Sequence, residues 1–434
     1  MRTNRYGNFA ALALASSAGI FVAACARSDE TPAPSGKPDA EHATPSSERD
    51  AERETPFGKA EVMHSWTRMD WFWRTAAERQ SYQSGGAYKA ATLAGVDIDR
   101  KGHVYVTTPR WLDKGVPSTL NQVVSVYGKS VLLPFPTWDD NAVGDAAARF
   151  QNVLGVEVDS ANRMWILDMG WVAGMEPTPD GAQKLVVLDL NTATELKRYA
   201  IPDSVANRNT SFLNDLVIDE KRELAFITDS GNRAGSPTAS GIIVYDFKAN
   251  TARRILNHHR SVQDDPTREL TVMGERVLPS GRLAVGINGI ALSPDGSTLY
   301  WNVTTGDAIY SAKVDALLDP TATPAQIDQA IIGPKRIGGG SDGMSADAKG
   351  RIYFTNLAAG KVQYFGPQSE NVETIAEGPG TEWPDSLTWD DRGGLWFSSN
   401  WLNRAFAGQM NFEQGTPNFR IWRIQTDSSK AFVK

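Results

Sequence analysis

The chain of 434 residues contains one cysteine and five histidines. A single thiol cannot form a disulfide within the chain, so a disulfide framework is excluded. No His-Glu-x-x-His pair or phosphate-cradling glycine loop occurs. Basic charge is also in short supply. Forty-four Lys and Arg stand against 51 Asp and Glu, for a net charge of -7 without a basic cluster, and nucleic acid is not an expected partner. Long apolar runs are missing apart from one near the start, Phe9 to Ala24, which is short for a mature membrane-spanning helix.

That run follows Arg2 and Arg5 and ends Val22-Ala23-Ala24-Cys25, which resembles a bacterial lipobox. The resemblance implies cleavage before Cys25 and lipid on its thiol and new amino group. Ala26 in place of an aspartate points to the outer membrane. A plain secretory signal, with an extracellular product, is the alternative. Residues 25–56 are rich in Ala, Glu, Ser, Pro and Thr and have no hydrophobic period, so they are expected to form a disordered tether. The expected plan is a signal over 1–24, the tether over 25–56 and a folded body over 57–434. Membrane contact would come only through the lipid.

What the body has in abundance is one repeated pattern. Asn152 to Gly170, NVLGVEVDSANRMWILDMG, reads as a buried strand, a polar turn at Asp159-Ser-Ala-Asn162 and a return strand. Related stretches start at Gly95, Asn214, Asn288, Asp342 and Asp385. Spacings of roughly 40–75 residues match propeller blades. The fold expected is all-β, a six-bladed propeller, with 13 Trp and 38 Gly suiting strands joined by tight turns. An open ring would expose strand edges, so a strand near Glu61–Trp66 is expected to complete the last blade beside Phe419–Ile424. Trp66, Trp71 and Trp73 are expected to pack. Asp315 to Ala330 reads as helical turns broken by Pro320 and Pro324.

Strand direction locates a site. In an antiparallel hairpin the start of the first strand lies beside the end of the second, on the face away from the turn. Asn152, Asn214-Asp215, Asn288, Asp342 and Asp385 mark the starts; Asp168, Asp229, Asn302, Asn356 and Asn400 mark the ends. Around one axis they would form a polar rim. Asn152, Asn214, Asn288, Asp342, Asn356 and Asn400 are the candidate ligand contacts. Asp215 and Asp385 are the candidate acid and base. Asp168 and Asp229, each followed closely by glycine, read instead as groups that satisfy backbone. Asp99, Asp159, Asp219, Asp347 and Asp390 belong to the opposite-face turns and read as structural. Trp111, Trp383 and Trp401 flank the rim and are candidates for stacking an aromatic ligand.

WTRMDWFWRTAAERQSYQSGGAY, TTPRWLDKGVPSTLNQV, the Asn152–Gly170 stretch, SFLNDLVID and GIIVYDF, running from about Trp66 to Ile424, resemble the yellow / major royal jelly protein family. The resemblance implies a six-bladed propeller, usually secreted, linked in insects to dopachrome chemistry, amine binding or nutrition. A more distant resemblance is to gluconolactonase / senescence-marker propellers, where two Asn, an Asp and a Glu hold a divalent metal. It implies a possible divalent metal on Asn214, Asn288 and Asp342; the first copy begins Leu93-Ala94-Gly95 and supplies no carboxylate. The leading expectation is a small polar or aromatic ligand at the channel mouth, with tautomerisation or isomerisation as its chemistry. The rivals are a metal-dependent lactone hydrolase and a non-catalytic envelope scaffold.

Overall fold

A computed structural model describes residues 57–432 of the protein, apart from 279, 368, 370 and 414. The signal, Cys25 and the tether lie outside the described residues. Six four-stranded antiparallel sheets follow one another along the chain, and each runs outward from an inner strand. The inner strands are Val96–Ile98, Val153–Val158, Leu213–Asp219, Ile287–Leu292, Met344–Ala346 and Trp383–Trp389, for blades one to six. Each packs against the next, and the sixth packs against the first, so the ring is closed around a channel.

The closing strand is Glu61–Trp66, which pairs antiparallel with Phe419–Gln425 and makes blade six from both ends of the body. Trp66 and Trp71 are buried in the core between blades one and six. The indole Nε1 of Trp71 donates to Asn121 Oδ1 at 2.9 Å, so its polar edge is not wasted inside the core. The insertion in blade four forms two helices, Val314–Leu318 and Pro324–Ala330. Pro324 starts the second helix rather than breaking it. It occupies the first turn, where its missing N–H costs nothing, behind a Thr323–Gln326 capping box.

The hairpin turns explain why the sequence repeats. Asp159 accepts the backbone N–H of Ala161 and Arg163, both at 3.0 Å, and the Trp165 indole at 2.9 Å. Asp347 binds Lys349 N, Arg351 N and the Tyr353 hydroxyl, and Asp390 binds Arg392 N, Gly394 N and the Trp396 indole. A carboxylate that caps a turn and also holds an aromatic ring six residues later ties these turns to the cores of their blades. In blade four Ser293 takes the turn position, and Asp295 accepts Ser297 N at 2.9 Å.

Candidate functional site

Counting back from each turn residue aligns the six inner strands and shows what they turn toward the channel. Five residues before the turn stand Ala94, Leu154, Asn214, Asn288, Asp342 and Asp385. Four before it stand Gly95, Gly155, Asp215, Gly289, Gly343 and Ser386. Two before it stand Asp97, Glu157, Val217, Ala291, Ser345 and Thr388. In blades two, three, four and six the pairing register shifts at the first two of these levels. A bulge there re-aims side chains that a regular strand would alternate between its faces.

The glycine level lets the inner strands approach closely. A Cβ on Gly95 would lie 2.6 Å from the Leu154 carbonyl, and one on Gly155 2.7 Å from that of Asn214. On Gly289 and Gly343 it would lie 2.3 and 2.2 Å from the carbonyls of Asp342 and Asp385. Each glycine thus abuts the level-five carbonyl of the following blade. Blade three carries Asp215 at this level instead.

Asn288 and Asp342 meet: Asn288 Nδ2 donates to Asp342 Oδ1 and to Thr304 Oγ1. The second oxygen of Asp342 accepts the Trp383 indole at 2.7 Å. Asp385 accepts Asn400 Nδ2 at 3.0 Å. Asp215 accepts the N–H of Leu216 at 2.8 Å. Burial pushes Asp215 up to about 7, and Asp342 and Asp97 push in the same direction. Burial raises Asp342 to about 6, against the two donors that hold its charge. Asp385 is raised well above its usual value by burial, with Asp342 and Asp215 adding to the effect. Three carboxyl groups, from blades three, five and six, are thus all raised above the usual carboxylate range, chiefly by burial.

The other rim residues face the protein. Asn152 is fully buried; its oxygen accepts Arg110 N at 2.7 Å and its amide donates to the Trp171 carbonyl at 2.5 Å. Asn356 donates to the Ile337 carbonyl and to Gln363, and Asn400 to the Leu93 carbonyl and Asp385. Asn214 donates to Ser230 Oγ at 3.1 Å. Asp168 binds Lys184 Nζ at 2.7 Å and the N–H of Gln151, Asn152 and Gly170. Asp229 binds Arg254 at 2.7 Å and the N–H of Phe212 and Gly231. These two anchor backbone, as glycine neighbours imply.

The mouth above the acids is aromatic. Trp383, Leu402 and Leu270 pack with Trp111 and Phe406 in one apolar cluster, and Trp111 stacks on Phe212 with centroids 6.1 Å apart. Trp401 lies beneath the Arg404 guanidinium, 3.8 Å from its ring centre. Two surface pockets are present. One, of about 190 Å³, runs along Gly338–Gly340 beside Arg268. The other, of about 300 Å³, lies between Gly144 and Pro179. Neither is lined by Asp215, Asp342 or Asp385.

A divalent ion on Asn214, Asn288 and Asp342 would need lone pairs facing it. Instead Asp342 accepts two N–H donors and the Asn214 amide is turned onto a serine. Among the described residues no group of three His, Cys, Asp or Glu side chains is placed to hold a metal. As arranged, both carboxylate oxygens of Asp342 are engaged by N–H donors rather than left open to an ion.

Sequence reasoning overlooked three charged groups further down the channel. Asp97 and Glu157 sit in otherwise apolar inner strands, GVDID and GVEVD, where an acid flanked by buried β-branched residues was the available signal. Lys430 comes from the C-terminal tail, outside the repeats. Its Nζ lies 2.5 Å from Glu157 Oε1 and 3.7 Å from Asp97 Oδ2.

Protein yellow of Drosophila melanogaster is 28% identical over 274 residues, covering 61% of this chain and 49% of that protein. Protein yellow of Drosophila madeirensis is 28% identical over 274 residues, covering 61% and 47%. The chain thus spans about half the length of these curated relatives. Among solved structures, one described as a putative gluconolactonase aligns with a TM-score of 0.50 at 13% identity, covering 86% of this chain and 93% of that one. At that identity the likeness shows the fold alone. Residues 151–432, well over half of the chain, match the family model described as major royal jelly protein, and the chain belongs to that family.

Proposed function

We propose that the protein binds a small polar or aromatic molecule at the rim-side mouth of the channel and moves a proton on it, as a dopachrome-type tautomerase or isomerase does. The observation that carries this reading is the set Asp215, Asp342 and Asp385. These are three carboxyl groups on three blades, with Asp342 at about 6 and Asp215 at about 7. A tautomerisation needs one group to take a proton from carbon or oxygen and another to return it elsewhere, and both work best near the operating pH. Asp215 and Asp385 are the proposed base and acid. Asp342, held by Asn288 and the Trp383 indole, sets the field between them and couples the acids to an aromatic wall suited to a flat ligand. The proposed setting is the cell envelope or its exterior, through a lipid on Cys25. Among the described residues no helix is long and apolar enough to cross a membrane.

The test is a titration of the purified protein with a catechol and with an indoleamine, read as tryptophan fluorescence, beside the decay of dopachrome absorbance. Saturable quenching is expected. Asp215→Asn and Asp385→Asn should each slow turnover by roughly 10²-fold or more while leaving quenching in place. Quenching without turnover would reduce the reading to a binder; neither response would leave a scaffold. Stoichiometric calcium, zinc or manganese that disappears in Asp342→Ala would replace it with metal-dependent lactone hydrolysis.

A further inference from the structure

The turn-side end of the channel is crossed by the chain's own C-terminus. Asp427 pairs with Lys349 at 2.6 Å and Arg351 at 2.5 Å, on the turn of blade five. Beyond it Ser429 accepts the N–H of Ala348, and Ala431 donates to the Ala346 carbonyl, so the tail lies along the inner strand of blade five. The side chain of Lys430 leaves this backbone and ends on blade two. There it donates to the Val158 carbonyl at 2.7 Å and meets Glu157 at 2.5 Å, with Asp97 of blade one at 3.7 Å. In a six-membered ring blades two and five face each other across the axis. A side chain rooted on one and bonded to the other must span the channel.

We propose that the tail is a plug, and that Asp97, Glu157 and the Val158 carbonyl form an alkylammonium subsite whose resident occupant is Lys430. The pocket's chemistry suits that occupant. The Lys430 side chain is 12% exposed, Asp97 is fully buried and Glu157 is 20% exposed. Asp97 is further held by the Thr388 hydroxyl and by the N–H groups of Ile98 and Val158. Burial works against the Lys430 ammonium. The carboxylates of Asp97, Glu157 and Asp159 outweigh it and hold the lysine above its usual value. Without Lys430 two acids from adjacent blades would face each other in a buried space with no cation to separate them. The channel is therefore blind at this end, and a ligand enters only at the rim. This holds whatever binds there.

Chemical rescue in the full chain tests the plug. Lys430→Ala removes the ammonium and leaves its space. The melting temperature should fall by roughly 5–10 °C, the range expected when one partner of a buried pair is lost. Propylammonium chloride should restore part of the loss in Lys430→Ala and do nothing for the unaltered protein. Sodium chloride and propanol at equal concentration should not restore it. Adding Glu157→Gln to Lys430→Ala should recover part of the stability without any amine, because the repulsion between two buried carboxylates is gone and Asp97 keeps its hydrogen bonds to Thr388, Ile98 and Val158. If Lys430→Ala does not fold, the double variant carries the test, and its failure to fold overturns the proposal. Unchanged melting in Lys430→Ala, or equal responses to propylammonium and sodium, also overturns it.

Discussion

Asp385 shows how a single residue here works against stability so that it can hold a proton. Its carboxyl is raised well above the usual 3.8 by burial and by Asp342 and Asp215. A carboxyl raised in the folded state holds a proton that the unfolded chain has released. Folding is then progressively disfavoured as pH climbs from the unfolded value toward the folded one. Asparagine cannot titrate, and its oxygen can still accept from Asn400. Asp385→Asn should therefore raise stability in urea unfolding at pH 8 and change it little at pH 4. An equal gain at both would mean that the carboxyl is not the titrating group. The turn aspartates were legible at this scale because an aspartate recurs at one place in five of the six repeats. Asp97 and Glu157 were not, because their partner, Lys430, is some 270 or more residues away in the chain.

Among the elements, the inner strands carry the design. Their glycine level and their bulges bring neighbouring strands within reach and aim the level above into the channel. Gly289→Ala would place a methyl group 2.3 Å from the Asp342 carbonyl and 2.8 Å from Met344 N. It should cost about 1–3 kcal/mol in urea unfolding and weaken ligand quenching by displacing Asp342. Gly85→Ala, where nothing lies within 4 Å, is the control and should leave both unchanged. The glycines were visible in the sequence as members of the repeat. Their purpose was not, since it depends on the carbonyl of the following blade. The same holds for the rim. Strand direction placed Asn152, Asn356 and Asn400 at the right end of each hairpin, and only packing turned their amides onto Trp171, Ile337 and Leu93.

For the molecule as a whole, stability rests on closure. Glu61–Trp66 joins Phe419–Gln425, so the two ends of the body make one sheet. Deleting residues 57–66 would expose the edge of blade six and strip Trp66 from the core it shares with Trp396 and Phe419. The melting temperature should fall by more than 10 °C, with loss of a single cooperative transition; an unchanged melting curve would mean that the ring holds without this strand.

The sequence by itself determined the hairpin, its turn, its number of copies and the strand that closes the ring. The first three depend on contacts between residues a few positions apart, or on a repeat that reveals itself by recurring; the closing strand followed from the edge that an open ring would expose. Tertiary structure alone decided which polar side chains the protein consumes in holding its own backbone, and which carboxyl groups remain around the axis. It also decided that a lysine from the last residues described would reach across that axis. Proximity between blades is set by the closed ring, and no local pattern in the chain encodes it.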